Sequence, residues 1–400
     1  MKRRLKRALT AATLAATVIA ATAGMTAGSR QTPVTGPLPG AASWRADGTP
    51  GRQLPDPADA GPEQIAVFFA GLTREQRRTL LHRHPLVVGN LDGAPVALRY
   101  AANRRALRAE LTRLRARATD PAGTLEDHRL ARVKEARYAG LLRPGRQILA
   151  FDPRGRGQVA EVYGNLAGAE RTAVIVPGSD IDLATFDRES GDRYGTPAGM
   201  AASLRARMTT AAPGTRTAVI AWAGYTTPVG LGPDAATDRL ADAGAPRLER
   251  FLRGLSRTGT PAPAVLCHSY GSVVCGKAAA QLARRDAADL VVFGSPGLHA
   301  DSVTELRTPV RVWAARAGGD WIGRVPNVEF LGLGHGADPA SAAFGARVVS
   351  SAGADGHTGY LAPGTGSRAG FAAITLRAYD KVRCASPSRQ CTHGLHGRTA

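Results

Sequence analysis

Only five of the 52 basic residues in this 400-residue chain are lysine: Lys2, Lys6, Lys134, Lys277 and Lys381. The net charge of +20 is therefore carried almost wholly by arginine. Those arginines are scattered through helical stretches, and aromatic residues make up only 5% of the chain. Without a basic stretch interleaved with aromatics there is no platform for stacking bases, which argues against a nucleic-acid partner. A weak attraction to anionic surfaces or acidic polymers is what the charge predicts instead. Long apolar runs are missing beyond the N-terminus, so nothing downstream reads as a membrane span. Phosphate-binding signatures are missing too: no Gly-x-Gly-x-x-Gly follows the first strand, and Gly276-Lys277 is followed by alanine rather than Ser or Thr. The four cysteines, Cys267, Cys275, Cys384 and Cys391, show no zinc-site spacing with histidine.

What is present begins with Met1-Lys2-Arg3-Arg4-Leu5-Lys6-Arg7, a positive n-region, followed by the uncharged stretch Ala8 to Ala23. Ala21-Thr22-Ala23 has the small-x-small form read by signal peptidase. Residues 1–28 are expected to be a cleaved export signal, favoured over a membrane anchor, which places the protein outside the cytoplasm. Export permits disulfides. A Cys384–Cys391 bridge would tie down a polar tail over 384–400, and Cys267 with Cys275 is open between a bridge and two buried thiols. Residues 29–62, rich in Pro, Gly, Ala and Asp, are expected to be a flexible linker.

From 63 to 145 the pattern is helical. Thr73-Arg74-Glu75-Gln76 is a capping box, Pro85 stops its helix, and Leu107, Leu111 and Leu114 line one face of an arginine-rich helix. These helices predict a structural layer, with a lid over the site as the alternative. Between 146 and 383 short apolar strands alternate with helices: 148–151 and 159–163 as a hairpin, then 172–176, 217–222, 264–267, 290–293, 310–313 and 346–349, with helices near 236–256, 270–285 and 371–382. That alternation predicts an α/β fold with a mostly parallel sheet, helices on both faces and a helical N-terminal extension. Active sites in such sheets lie beyond the carboxyl ends of the strands.

Cys267-His268-Ser269-Tyr270-Gly271 sits between a strand and a helix, where a tight turn lifts a serine hydroxyl above the sheet. The close approach of strand and helix needs small residues on either side of the serine. Gly271 meets that need, and Cys267 stands where glycine is usual. A hydroxyl needs a base to take its proton and a carboxylate to orient that base. Ser269 is the expected nucleophile. Asp320, in the turn after strand 310–315, is the expected acid, ahead of Asp338 and Asp355. His357, on the glycine-rich loop after the last strand, is the expected base, ahead of His335. His268 should point away, and the tail residues His393 and His396 read as solvated. The N–H groups of Tyr270 and Ser179, the latter in Pro177-Gly178-Ser179-Asp180, are the expected donors to an oxyanion.

At these residues the chain resembles a group of uncharacterised bacterial α/β-hydrolases common in actinomycetes and classed as a domain of unknown function. The matching stretches, between about Phe68 and Tyr379, are Val87 to Gly93, Val176 to Ser179, His268 to Gly271, Gly294 to Gly297, and Gly356-His357. The resemblance implies an α/β-hydrolase fold and a triad of Ser269, Asp320 and His357. The function expected is serine hydrolysis of an ester or related acyl substrate, small or lipid-like, through an acyl-enzyme, with no cofactor or metal. The alternatives are acyl transfer to a cell-envelope acceptor and a non-catalytic exported binding module. A membrane would be met only through an uncleaved N-terminal signal.

Overall fold

The structure, a computed structural model, describes residues 30–49, 51–189, 191–329, 332–385 and 389–395. The export signal expected over 1–28 lies outside the described residues, as does His396. No helix among the described residues is long and apolar enough to cross a membrane.

Among the described residues, eight strands form one sheet: β1 (Ile148–Asp152), β2 (Gln158–Gly164), β3 (Arg171–Val176), β4 (Thr217–Ala223), β5 (Ala264–His268), β6 (Asp289–Phe293), β7 (Arg311–Ala315) and β8 (Arg347–Val348), in the order β1-β2-β4-β3-β5-β6-β7-β8. The hairpin β1–β2 and the pair β2–β4 are antiparallel, and all other pairs are parallel. The helices are α1 (Ala41–Arg45), α2 (Pro62–Ala70), α3 (Arg74–Arg83), α4 (Pro85–Asn90), α5 (Val96–Ala118), α6 (Leu125–Leu141), α7 (Pro197–Ala211), α8 (Pro233–Ala236), α9 (Arg239–Arg257), α10 (Gly271–Ala279) and α11 (Gly366–Thr375). Alternate residues of each strand serve opposite faces. In β4, Val219 and Ala221 join the layer that contains α5, α6, α7 and α11, while Ile220 and Trp222 join the layer of α9 and α10. Both faces are thus apolar, and the middle strands read as continuous hydrophobic runs for that reason.

The start signals in the sequence act as written. Thr73 and Gln76 form a reciprocal capping box, and Thr124 with Asp127 forms another at the head of α6. Helix α10 is shorter than the expected 270–285, because the Asp286 carboxylate accepts the Ala283 N–H and offers the chain a turn instead. Helix α11 begins at Gly366 rather than near Phe371: Thr365 caps the Arg368 N–H, and Arg377, at φ 60°, lies just past the helix end.

Helices α5 and α6 pack on the sheet beside β1, the opposite edge from β8. Tyr138 meets Phe151 edge-on at 5.1 Å, and the Asn90 side chain accepts from the Phe151 N–H and donates to its carbonyl. Asn90 thereby occupies an edge that would otherwise be open to another strand. The described residues of the stretch 29–62 depart from the expected flexible linker. Trp44 of α1 is fully buried, donates through its indole to the Pro55 carbonyl, and meets the Phe68 and His84 rings edge-on. The Gln31 and Val34 N–H groups donate to Asp234 and Thr226 in the segment after β4. Proline and glycine gave no periodicity here, yet one buried tryptophan and the backbone bonds fix the path. Both cysteine pairs are bridged, Cys267–Cys275 and Cys384–Cys391.

Candidate active site

Ser269 stands one residue past β5 with φ 54°, a left-handed backbone that a non-glycine residue adopts only when its surroundings hold it there. The surroundings are tight. A Cβ on Gly271 would lie 2.6 Å from the carbonyl oxygens of Val176 and Pro177, and one on Gly178 would lie 2.5 Å from Ser269 Cβ. Glycine at these two positions lets β3, its loop and α10 close around the serine. Cys267, two residues earlier, fits as a small residue and is bridged to Cys275 in α10, so the strand and helix flanking the turn are covalently joined.

The structure brings Ser269, His357 and Asp320 together. The Ser269 hydroxyl donates to His357 Nε2 at 2.8 Å, and His357 Nδ1 lies 2.8 Å from Asp320 Oδ1. An ionised carboxylate only accepts, so Nδ1 carries the proton and the Nε2 lone pair faces the hydroxyl. Asp320 is fully buried at its side chain and receives further bonds from the Ile322 N–H to Oδ1 and the Tyr360 hydroxyl to Oδ2, at 2.9 and 2.7 Å. Burial pushes its carboxyl up, but the hydrogen bonds from His357 and Tyr360, with the charge of the imidazole and the Ile322 N–H, outweigh that and hold it below the usual carboxylate range.

Residues that the sequence did not flag complete the surroundings. His268 was expected to point away from the site. Its ring instead lies 4.8 Å from that of His357, and its Nε2 is 2.7 Å from the His357 carbonyl oxygen. Burial, with the neighbouring His357, holds its pKa down to about 3, so the ring is neutral and its N–H donates to that carbonyl. Trp321, next to Asp320, lies against the His357 ring at 4.6 Å between centroids. Gly294 follows β6 with φ 55°, and a Cβ there would meet Asp320, His357 and His268 at 3.2 to 3.3 Å. Two signals were present in the sequence: Tyr360 stands three residues after His357 on one loop, and Gly294 opens one of the stretches that carry the family resemblance.

The rival residues lie elsewhere. His335 is buried with Nε2 on the Ala235 carbonyl and packs edge-on against Tyr270, while Asp338 pairs with Arg316. Asp355 makes no ion pair among the described residues, and His393 is exposed. Of the expected oxyanion donors, neither the Ser179 nor the Tyr270 backbone N–H donates a hydrogen bond among the described residues. The loop that carries Ser179 is pinned behind it: the Asp180 N–H donates to the Pro228 carbonyl and the Tyr225 hydroxyl to the Pro177 carbonyl.

Residues 152–330 match the model of a family described as Alpha/beta hydrolase. Two uncharacterized proteins of Mycobacterium tuberculosis, from two strains, are each 31% identical to the chain over 358 residues, covering 76% of it and 53% of theirs. The chain thus spans about half the length of the curated relatives it matches. Among solved structures, a predicted CIB-like hydrolase from Thermoplasma acidophilum is 12% identical, covers 58% of this chain and 95% of that one, and has a TM-score of 0.34. The 2,6-dihydroxy-pseudo-oxynicotine hydrolase is also 12% identical, covers 65% and 73%, and has a TM-score of 0.29. At those scores neither likeness bears on the site.

Proposed function

We propose that this chain, whose residues 152–330 match an alpha/beta hydrolase family model, is an exported serine hydrolase that cleaves an ester or related acyl substrate through Ser269. The observation that carries this reading is the unbroken hydrogen-bonded chain from the Ser269 hydroxyl through His357 to the buried Asp320 carboxylate.

In this mechanism His357 Nε2 takes the hydroxyl proton as Ser269 Oγ attacks the acyl carbon, and Asp320 holds the imidazole in its tautomer and stabilises the imidazolium. The oxygen that gains charge is met by the Tyr270 N–H, at the start of α10, and by the Ser179 N–H. Both donors are otherwise uncommitted among the described residues, which is what an oxyanion site requires before substrate arrives. Collapse expels the leaving alcohol with the proton from His357. Water then attacks the acyl-serine with His357 as base, and the acid and the free serine are regenerated. Export is supported by the sequence of residues 1–23 and by the two disulfides, which persist in oxidising compartments.

The test is turnover of short-chain nitrophenyl esters by the wild type and Ser269→Ala, together with labelling by a fluorophosphonate probe, which needs an activated serine. Wild-type turnover and labelling that both vanish in the variant are expected. Absence of labelling in the folded wild type, or turnover that survives the substitution, removes the proposal.

A further inference from the structure

A cavity of about 260 Å³ lies where the N-terminal strap, α4–α5, the β1–β2 hairpin and α9 meet. Gly224, in its lining, follows β4, and Asp152 ends β1. The cavity is therefore on the same rim of the sheet as Ser269, but β3 separates β4 from β5. It is distinct from the site already described, sharing no residue with it.

Its charge is unbalanced. Arg99, Arg154, Arg247 and Arg250 line it with only Asp92 and Asp152. Arg99 pairs with Asp92 at 3.0 Å and Arg154 with Asp152 at 2.7 Å, which accounts for both carboxylates. Arg247 and Arg250 make no ion pair among the described residues, so four cations against two anions leave an excess of two positive charges. Arg250 donates to the Pro57 and Ala60 carbonyls, and Arg247 donates to the Gly224 carbonyl and the Gln158 side-chain oxygen. Burial pulls Arg247 below the usual arginine range, and the more distant Asp152 and Asp92 only partly offset it.

Gln158 fixes the direction of one of these guanidinium groups. It is buried, 4% exposed, and lines the cavity. A guanidinium cannot accept, so the Gln158 oxygen must face Arg247. Its amide nitrogen is shielded from solvent and has no hydrogen-bond partner among the described residues, so it is out of reach of a bound ligand. Two guanidinium groups without a carboxylate partner, walled on one side by Trp222 and Phe251, define the ligand chemistry.

We propose that this cavity binds a dianionic phosphate group, free or as the monoester of a small molecule, held by Arg247 and Arg250. A phosphate dianion matches the charge excess, and its several acceptor oxygens suit fork-shaped guanidinium donors better than a single carboxylate does.

The experiment is titration calorimetry on the full chain at constant ionic strength, with inorganic phosphate in one arm, glycerol phosphate in a second and malonate in a third. Saturable one-to-one binding of at least one phosphate ligand is expected, weakened by about tenfold or more in Arg247→Gln and also weakened in Arg250→Gln. Stronger binding in the glycerol phosphate arm would identify a monoester, and equal binding the free ion. Because Arg247 also holds the Gly224 carbonyl, Arg250→Gln decides the matter alone if Arg247→Gln fails to fold. No saturable binding by the wild type, affinity unchanged in the folded variants, or malonate binding as tightly as phosphate overturns the proposal.

Discussion

Replacing Tyr360 by phenylalanine removes a single oxygen from a fully buried ring. The ring itself keeps its place against Phe293, 5.4 Å away. Two hydrogen bonds go: the one donated to Asp320 Oδ2 at 2.7 Å and the one accepted from the Ala317 N–H at 2.9 Å. A bond to a charged acceptor contributes about 1.5–3 kcal/mol, and a buried donor left alone costs about 1–3 kcal/mol. Because the two share one oxygen they do not add fully, and a loss of roughly 2–5 kcal/mol is expected. The electrostatic consequence has a definite sign. Burial pushes the Asp320 carboxyl up and the Tyr360 hydroxyl is one of the bonds that holds it down, so its pKa rises in the variant. A protonated Asp320 no longer stabilises an imidazolium at His357. The acid limb of kcat/KM should therefore move to higher pH, while the plateau falls by about tenfold. Urea unfolding reads the first effect and a pH–rate profile on a nitrophenyl ester reads the second. A variant within about 0.5 kcal/mol of wild type, with an unmoved acid limb, would refute the role given to this hydroxyl.

Other consequences follow from the same surroundings. His268 has its folded-state pKa depressed to about 3 from 6.5, so its contribution to stability is whole above 6.5 and is lost as pH falls toward 3, with a slope of up to about 1.4 kcal/mol per pH unit. His268→Gln should flatten the acid side of the stability curve relative to wild type, and parallel curves would contradict the neutral buried ring. Gly178→Ala places a methyl 2.5 Å from Ser269 Cβ and 3.0 Å from its Oγ, so the loop or the turn must shift. A loss of about a hundredfold in kcat/KM is expected, and an unimpaired variant would mean that the loop yields freely.

The candidate site was legible in the sequence as far as chain order and strand ends carry. Ser269, Asp320 and His357 each follow a strand or lie on a glycine-rich loop, and a parallel sheet gathers such positions at one rim. The preference for His357 over His335 rested on which loop came last, and the hydrogen bonds follow that preference. His268 was misjudged because, as the last residue of β5, it follows the strand alternation onto the face of Leu266, where the remote loop that carries His357 packs against it. The linker was misjudged because its order comes from contacts that no periodic pattern announces, the burial of Trp44 against Pro55 and Phe68 and the bond from Gln31 to Asp234, 203 positions away.

By itself the sequence determined the alternation of buried strands and capped helices, since burial period and cap chemistry are local properties of the chain. It also singled out the side chains proposed to carry acyl chemistry. Only the tertiary structure decided which histidine meets the serine, which oxygen and nitrogen atoms hold the carboxylate, and where unmatched charge collects. Those outcomes depend on distances of a few ångströms between segments remote in the chain, and burial turns such distances into free energy only after the chain has folded.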